Sequence, residues 1–389
     1  MRAFRALRYA EGVAGPLSDL ICPPYDVISP EQHVALERRS PRNFVRVELP
    51  DPTPAGYGRA SELLGRWRQD GALTTDPPSV YLHEHEFALG GARAVRRGVF
   101  VALRLYPPEE RVVLPHEQTF PKAKAERLEL LHATRVNTSP IFGLVDGRAL
   151  AFVREAASGT VGAATLDGDR HRVSRVLDTA AVSRFRDALR DERVYIADGH
   201  HRYETALTYA DARGASPDSS DRFVLAYLCA LDDPGLRILA THRVVSGGRE
   251  ALDASVARSF VASPIDRGAL DDIQPGIVLV RDSTFTRLEP RSDADRSGMP
   301  RAWRELPVAI AEELVLRAAR EAGAEITYEH DADRAIAAAR RGRAAVLLRA
   351  VDPQTLRWVA DAGERLPQKT TYFYPKVPAG LVVRSLDVG

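Results

Sequence analysis

The 389-residue chain has little cysteine, little net charge and no long apolar run, and each absence argues against a class of protein. Cys22 and Cys229 are too few for a disulfide framework or a four-thiolate metal site, so we expect both to be structural. No apolar run approaches the roughly 18–20 residues of a membrane span, and the charged first segment does not resemble a signal peptide. A formal net charge of +1 gives no electrostatic footprint for nucleic acid or an anionic membrane. We therefore predict a cytoplasmic protein with small-molecule partners and neither a nucleic-acid nor a membrane partner.

Lysine is also scarce. Only four of the 54 basic residues are lysines, which leaves 50 arginines. The lysines fall in two short segments, Lys122 with Lys124 and Lys369 with Lys376. A compact, rotatable ammonium differs from the planar guanidinium fork, so lysines kept in an arginine-rich chain can mark a site that needs an ammonium. Chance clustering is the alternative.

The length predicts more than one lobe, because single cores stop growing at roughly 250–300 residues. We predict an α+β (mixed α/β) fold with lobes at 1–108, 109–245 and 246–389. Two strands at 80–87 and 97–105 are expected to form a hairpin about Gly90-Gly91.

Apolar periodicity and turn residues predict the other elements. Helices are expected at 60–67, 123–133, 180–189, 201–212, 307–322 and 353–362. Strands are expected at 112–114, 139–145, 194–197, 223–231 and 344–349. Asp146-Gly147 and Asp167-Gly168 are predicted to be hairpin turns.

The segment Asp198-Gly199-His200-His201-Arg202 concentrates charge where a predicted strand turns into a helix. Unpaired N–H groups and the positive end of the helix dipole make such a junction an anion site, and glycine allows the backbone to approach a ligand. Imidazole and guanidinium groups add donors for phosphate oxygens, and Asp198 is a candidate ligand for Mg²⁺. Helix capping by Asp198 and a zinc site on the histidines are the alternatives.

Two further segments carry candidate residues. Pro115-His116-Glu117-Gln118 is a turn whose carboxylate can take the proton of an acceptor hydroxyl, although a surface glutamate is an equal alternative. The aromatic-rich segment 366–376 holds half of the lysines, so we expect it to pack back and deliver Lys369 or a threonine hydroxyl to a site. Simple docking of an aromatic tail is the alternative. Thr241-His242-Arg243 is a weaker candidate for the same anion pocket.

The chain resembles the bacterial domain-of-unknown-function family 1015 over essentially its whole length. The motifs that carry the resemblance lie in the same order as in the family. They are Cys22-Pro23-Pro24-Tyr25-Asp26, Pro115-His116-Glu117-Gln118, Arg135 to Phe142, Asp198 to Tyr203, Thr241-His242-Arg243 and Lys369 to Lys376.

A second resemblance is to the archaeal free-serine kinases of the ParB/sulfiredoxin-like superfamily. It rests on Pro115 to Gln118, Asp198 to Arg202 and Pro367 to Thr371. It implies a ParB/sulfiredoxin-like catalytic core at 109–245 and phosphorylation of free L-serine to O-phosphoserine by ADP or ATP with Mg²⁺. Glu117 would be the base and Lys369 would assist catalysis. By the same resemblance, the nucleotide phosphates would bind to Asp198, Gly199, His200, His201, Arg202, Thr370 and Thr371. The acceptor would bind to His116, Thr241, His242 and Arg243. Mg²⁺ would bind to Asp198.

The sequence also departs from these relatives. Residues 1 to about 108 have no counterpart in the kinases, so the acceptor pocket can differ. Sulfiredoxins have their reactive cysteine at the place of His200, so thiolate chemistry is not expected.

Two other functions stay open. A non-catalytic nucleotide-binding switch predicts nucleotide binding without acceptor-dependent turnover, and a metal-dependent hydrolase predicts bound zinc with no need for ADP or ATP.

Overall fold

The computed structural model describes residues 1–117, 121–272 and 276–387. Contacts divide the chain into two compact units. The first unit combines Met1–Pro115, Thr119–Leu236 and Pro375–Gly389, and the second combines His116–Gln118 and Arg237–Tyr374. The end of the chain therefore belongs to the first unit, although the segment before it belongs to the second. The predicted lobe boundaries near 108 and 245 stay a prediction.

An eight-stranded sheet organises the first unit. In order across the sheet, its strands are Val113–Leu114, Val194–Asp198, Ile141–Val145, Phe223–Ala230, Ala92–Arg104, Val80–Leu89, Asp169–Val176 and Ser158–Leu166.

Two neighbouring strands of this sheet lead to segments singled out in the sequence. Val194–Asp198 pairs in parallel with Val113–Leu114 and antiparallel with Ile141–Val145. Because parallel strands run in the same direction, the chain leaves the sheet at the same edge after Leu114 and after Asp198.

One face of the sheet forms the main core of the first unit. Strand side chains alternate between faces, so Val99, Val101 and Leu103 point to the same side, where all three are buried. Helices Gly147–Ala156, Thr179–Ala188 and His200–Ala212 contribute apolar residues to this core. The sheet and these helices thus fix the strand that ends at Asp198 and the helix that follows it.

The first unit contains a second, four-stranded sheet and further helices. The sheet has the strand order Leu73–Thr75, Ala6–Tyr9, Val383–Ser385 and Val136–Asn137. Local signals explain two of the helices: Ser29 forms a capping box with Gln32, and the Thr53 side chain accepts the N–H of Gly56. The helices are Glu11–Ala14, Leu17–Leu20, Pro30–Arg39, Val45–Glu48, Pro54–Gln69 and Pro121–Thr134.

The second unit is built on a six-stranded antiparallel sheet. Its strand order is Phe260–Ile265, Thr284–Pro290, Ile277–Arg281, Ala344–Leu348, His242–Ser246 and Glu325–Glu329. Arg237–Ala240 and Thr371–Tyr374 form a separate two-stranded ribbon. The α-helices are Arg249–Ser259, Pro307–Ala311, Arg317–Glu321, Ala332–Ala338 and Pro353–Asp361, and a π-helical turn at Glu312–Leu316 joins the second and third.

The mixed α/β fold class is confirmed, and so are the predicted hairpin about Gly90-Gly91 and the helix after Gly199. The turn predicted at Asp146-Gly147 is wrong. Asp146 accepts the N–H of Arg148 and caps helix Gly147–Ala156, because a carboxylate at a helix start satisfies an otherwise unpaired donor. The ParB/sulfiredoxin-like name of the core stays a prediction. In the described parts of the chain, no helix is long and apolar enough to cross a membrane.

Candidate functional site

The strand-to-helix junction at Asp198-Gly199 has the geometry that the sequence predicts. Strand Val194–Asp198 ends at Asp198, and helix His200–Ala212 begins one residue later. Gly199 between them has φ of 86° and ψ of 29°, the left-handed conformation that glycine adopts at no steric cost. Gly199 offers no capping side chain, so the first N–H groups of the helix depend on other partners.

The Asp198 carboxylate pairs with two cations. Its Oδ2 accepts from the Arg202 guanidinium, one turn along the helix, and its Oδ1 accepts from the Lys376 ammonium. Burial alone would raise the pKa of Asp198, but Lys376 and then Arg202 outweigh it and hold the pKa below its usual value. Asp198 is therefore an ionised acid inside a partly buried charge cluster.

Two other segments, the proline-containing stretch before Asp26 and Ser139-Pro140, also contact this cluster. Asp26 Oδ2 lies 3.9 Å from Lys376 Nζ, and the Pro140 carbonyl accepts from the Arg202 guanidinium. Arg202 is thus held on two sides by Asp198 and Pro140. The predicted contact of Arg202 with nucleotide phosphates stays a prediction.

A buried glutamate joins the two segments behind this cluster. The Glu48 carboxylate accepts the Tyr25 N–H at 3.2 Å and the Ser139 hydroxyl at 2.8 Å. Its side chain is buried, so these hydrogen bonds fix the relative placement of the Tyr25 and Ser139 segments. Sequence reasoning did not single out Glu48.

The two histidines of the junction differ in exposure. His200 is buried and His201 is half-buried, both in the first turn of helix His200–Ala212. Successive helical residues point about 100° apart, so the two rings cannot face the same direction. The positive pole of the helix and these imidazoles together favour an anion at this end.

Glu117 lies in the second unit and contacts the turn that precedes Lys369. Its Oε1 accepts the backbone N–H of Lys369 at 2.8 Å, and the Leu366 N–H donates to the His116 carbonyl at 2.7 Å. Lys369 has φ of 53°, a left-handed conformation that is uncommon for a residue with a side chain. The contact brings together two residues that are far apart in sequence, Glu117 and Lys369.

The neighbouring threonines are held by local hydrogen bonds. His116 Nε2 lies 3.0 Å from Thr371 Oγ1, and Thr370 Oγ1 donates to the Pro367 carbonyl at 2.6 Å. The predicted packing of the 366–376 segment against the rest of the chain is confirmed for this part, since Thr371–Tyr374 pairs with Arg237–Ala240.

Thr241-His242-Arg243 lies at the start of strand His242–Ser246, in the six-stranded sheet of the second unit. Arg243 is fully buried, its Nε donates to Glu312 Oε1 at 2.9 Å, and its Nη2 donates to the Gln368 carbonyl at 3.2 Å. His242 Nδ1 accepts the Leu348 N–H at 3.1 Å. Burial, with a contribution from Arg243, lowers the pKa of His242 to about 4, so its ring is neutral at pH 7. Their predicted contact with an acceptor stays a prediction.

The contact of Lys376 with Asp198 was not predicted from the sequence. Lysine scarcity pointed to the 366–376 segment, but the expected lysine was Lys369, whereas the lysine that reaches Asp198 is Lys376. Lys124 pairs with Glu204 at 2.9 Å, and the side chain of Lys122 and the whole of Gln118 lie outside the described residues. The scarcity of lysine marks Lys376 as much as Lys369.

Solved structures with a distant likeness to the chain exist, with TM-scores near 0.4. A conserved hypothetical protein from Pyrococcus furiosus is 15% identical, with 75% of this chain and 96% of that chain covered and a TM-score of 0.39. SbnI with a C-terminal truncation, from Staphylococcus aureus, is 11% identical, with 72% and 84% covered and a TM-score of 0.41. A variant of a free serine kinase in complex with AMP is 15% identical, with 71% and 87% covered and a TM-score of 0.39.

No curated protein matches the chain significantly. The family model described as "Protein of unknown function (DUF1015)" matches residues 1–310, which is most of the chain. This match agrees with the family that the sequence motifs indicate. The chain belongs to the DUF1015 family.

Proposed function

We propose that the protein transfers a phosphoryl group from a nucleotide to the hydroxyl of a small metabolite, with free L-serine as the acceptor. The observation that carries the proposal is the junction at Gly199, where a helix begins without a capping side chain beside the partly buried cluster of Asp198, Arg202 and Lys376. Backbone N–H groups at a helix start and nearby ammonium groups are suited to phosphate oxygens. The motif resemblance to free-serine kinases supports the same chemistry.

Groups around the junction at Gly199 are suited to the nucleotide phosphates. We assign this role to the N–H groups after Gly199, the His200 and His201 imidazoles, and Lys376. Lys376 pairs with Asp198 in the structure, and a phosphate anion can replace or share that carboxylate as its partner. Arg202 and Asp198 then keep the junction in place. Thr370 and Thr371 remain assigned to the nucleotide by the motif resemblance.

Asp198 is a poor fit for a resident Mg²⁺. Both carboxylate oxygens already have a cationic partner, Lys376 on Oδ1 and Arg202 on Oδ2. Mg²⁺ usually takes one or two carboxylates together with waters and phosphate oxygens, so an ion at Asp198 would have to displace one of these cations. In the proposed site, Lys376 and the helix start supply the positive charge toward the phosphates.

The motif resemblance assigns the base to Glu117. In the proposed reaction the acceptor oxygen forms a bond to the terminal phosphorus, the bond from phosphorus to the bridging oxygen breaks, and the acceptor proton passes to Glu117. The nucleotide leaves as ADP from ATP, or as AMP from ADP. The hydrogen bond from the Lys369 N–H holds the Glu117 carboxylate in one orientation, as a base needs.

The test uses the full chain with ATP or ADP, with and without Mg²⁺, and a panel of hydroxy amino acids. Phosphorylated product is measured by mass spectrometry. We expect product with L-serine. Nucleotide binding without product from any acceptor would identify a nucleotide-binding switch, and hydrolysis that needs zinc but no nucleotide would identify a hydrolase. Either outcome contradicts the proposal.

Glu117→Gln tests the base separately from nucleotide binding. Glutamine keeps an oxygen that accepts the Lys369 N–H but cannot take a proton. Turnover should fall by about 100-fold or more while the nucleotide Kd stays within about two-fold. Glu109→Gln, at an exposed position, is the matched control and should leave both values unchanged. Equal turnover of the two variants would show that Glu117 is not the base.

A further inference from the structure

Three histidines of the first unit lie together on the eight-stranded sheet. His83 and His85 stand on strand Val80–Leu89, and alternation along the strand puts both on the same face. His171, on strand Asp169–Val176, pairs directly opposite His85. The three residues are 0%, 1% and 3% exposed. Such a buried histidine cluster is a candidate metal site that the sequence analysis did not detect.

The ring nitrogens are close enough to share one ion. One nitrogen from each ring lies within 4.8 Å of the other two. His83 Nε2 and His171 Nδ1 are 3.2 Å apart. Two nitrogens bound to a tetrahedral Zn²⁺ at about 2.0–2.1 Å would be separated by about 3.3 Å. One pair therefore already has the spacing of two ligands, and the His85 ring centroid lies 4.1 Å from that of His171.

A carboxylate orients the third ring. His85 Nε2 lies 3.0 Å from Asp169 Oδ2, so the proton of the neutral ring belongs on Nε2 and the lone pair on Nδ1. Metal-binding histidines usually donate their other N–H to such a carboxylate. His83 Nδ1 is buried and has no hydrogen-bond partner among the described residues, which is unusual for a buried polar atom.

Arg96 opposes a metal ion at this place. It is fully buried, its Nη2 lies 3.3 Å from His85 Nδ1, and its guanidinium stands 5.0 Å from the centre of the Phe142 ring. A guanidinium stays charged and repels a second cation. A metal ion bound by His85 Nδ1 must therefore displace the Arg96 contact, and Arg96 should weaken metal binding.

The imidazole rings are closed off from solvent. A cleft of about 560 Å³ is lined by Glu84, Glu86, Arg170 and Arg172, but these residues alternate with the three histidines along their strands and point to the other face of the sheet. A metal ion must therefore enter during folding or through local opening of the unit, so we expect slow loading of the folded chain.

We propose that His83, His85 and His171 bind one divalent transition-metal cation of the zinc class, with Asp169 orienting His85. Three imidazoles match the ligand preference of Zn²⁺, Co²⁺ and Ni²⁺ and are unlike the oxygen ligands that Mg²⁺ and Ca²⁺ prefer. The site is separate from the junction at Gly199 and does not depend on phosphoryl transfer.

The test is a Co²⁺ titration of the full chain after treatment with a chelator. We expect one equivalent to bind with the visible absorption of tetrahedral Co²⁺, and Zn²⁺ to displace it. His171→Gln and Asp169→Asn should weaken binding by about 10-fold or more, and His132→Gln, at an exposed histidine, should have no effect. Arg96→Met should bind more tightly than the natural chain.

Two outcomes would overturn the proposal. One is equal affinity of the natural chain and His171→Gln. The other is failure of the natural chain to bind metal. If Arg96→Met binds metal and the natural chain does not, Arg96 is the resident cation. If neither binds metal, the cluster is purely structural. Zinc-edge X-ray absorption of the loaded natural chain needs no variant: imidazole scattering is expected, and an oxygen-only shell contradicts the site even where a variant does not fold.

Discussion

At the scale of single residues, the Asp198 carboxylate organises charges that come from distant parts of the chain. Lys376, 178 residues away, and Arg202, four residues away, contact different oxygens of the same carboxylate. A buried acid is stable only when it is paired, because burial removes its hydration. Removing one cation should therefore affect stability as well as binding.

We predict that Lys376→Met lowers the free energy of unfolding by about 2 kcal/mol at pH 7, because it breaks a largely buried ion pair while Arg202 keeps its contact with Asp198. The side chains of Lys376 and Asp198 are 12% and 19% exposed, so solvent screens the pair weakly. Nucleotide affinity should fall as well. Urea unfolding and calorimetric nucleotide titration measure the two effects.

The pH dependence of this effect follows from the lowered pKa of Asp198. A depressed folded-state pKa adds stability above the unfolded value of about 3.9, and this stability is lost as the pH falls below it. The difference between the natural chain and Lys376→Met should therefore be full at pH 7 and shrink below about pH 4. Lys124→Met is the control: its pair with Glu204 is 37% and 28% exposed, so at most about 1 kcal/mol is expected. A pH-independent difference would contradict the pairing.

At the scale of elements, the turn between strand Val194–Asp198 and helix His200–Ala212 depends on Gly199. Its left-handed φ suits glycine, and a Cβ atom there would lie 3.0 Å from the Arg202 guanidinium. Space and backbone conformation both favour glycine at this place. The helix start, and with it the proposed phosphate site, should therefore be sensitive to a single methyl group.

We predict that Gly199→Ala costs about 1–2 kcal/mol of stability from the left-handed backbone and also weakens nucleotide binding, because Arg202 must move. Gly214→Ala is the matched control. Gly214 has φ of 57°, and its Cβ would meet nothing within 4 Å, so the variant should lose similar stability but keep its nucleotide affinity. Thermal unfolding and nucleotide titration distinguish the two. Equal nucleotide affinities of the two variants would contradict nucleotide binding at the junction.

At the scale of the whole molecule, each compact unit has its own core. Phe185 lies in the core of the first unit, and Leu316 lies in the core of the second. Both side chains are fully buried. A change in one core should therefore act first on the unit that contains it.

We predict that Phe185→Ala and Leu316→Ala each cost about 3–5 kcal/mol, with lost hydrogen-exchange protection mainly in the unit that carries the change. Mass spectrometry of exchanged peptides measures the distribution. Val34→Ala, at an exposed position, is the control and should change neither unit. Equal loss in both units for both core variants would mean that the chain unfolds as one body.

Much of the local structure could be predicted because its causes are local. The helix after Gly199 and the hairpin about Gly90-Gly91 follow from turn residues and from the spacing of apolar side chains. The hairpin turn predicted at Asp146-Gly147 was wrong because the same pair of residues occurs in hairpin turns and at helix starts. Only the packing of the residues that follow selects the helix.

The sequence by itself determined the mixed α/β class, the family and the segments that carry candidate chemistry, since periodicity and motifs are properties of the order of residues. Only the tertiary structure decided which members of those segments meet. Lys376 rather than Lys369 contacts Asp198, and His171 joins His83 and His85, because strand register and chain return bring together residues that are more than eighty positions apart. Such contacts depend on packing between distant elements, and no local pattern of residues encodes them.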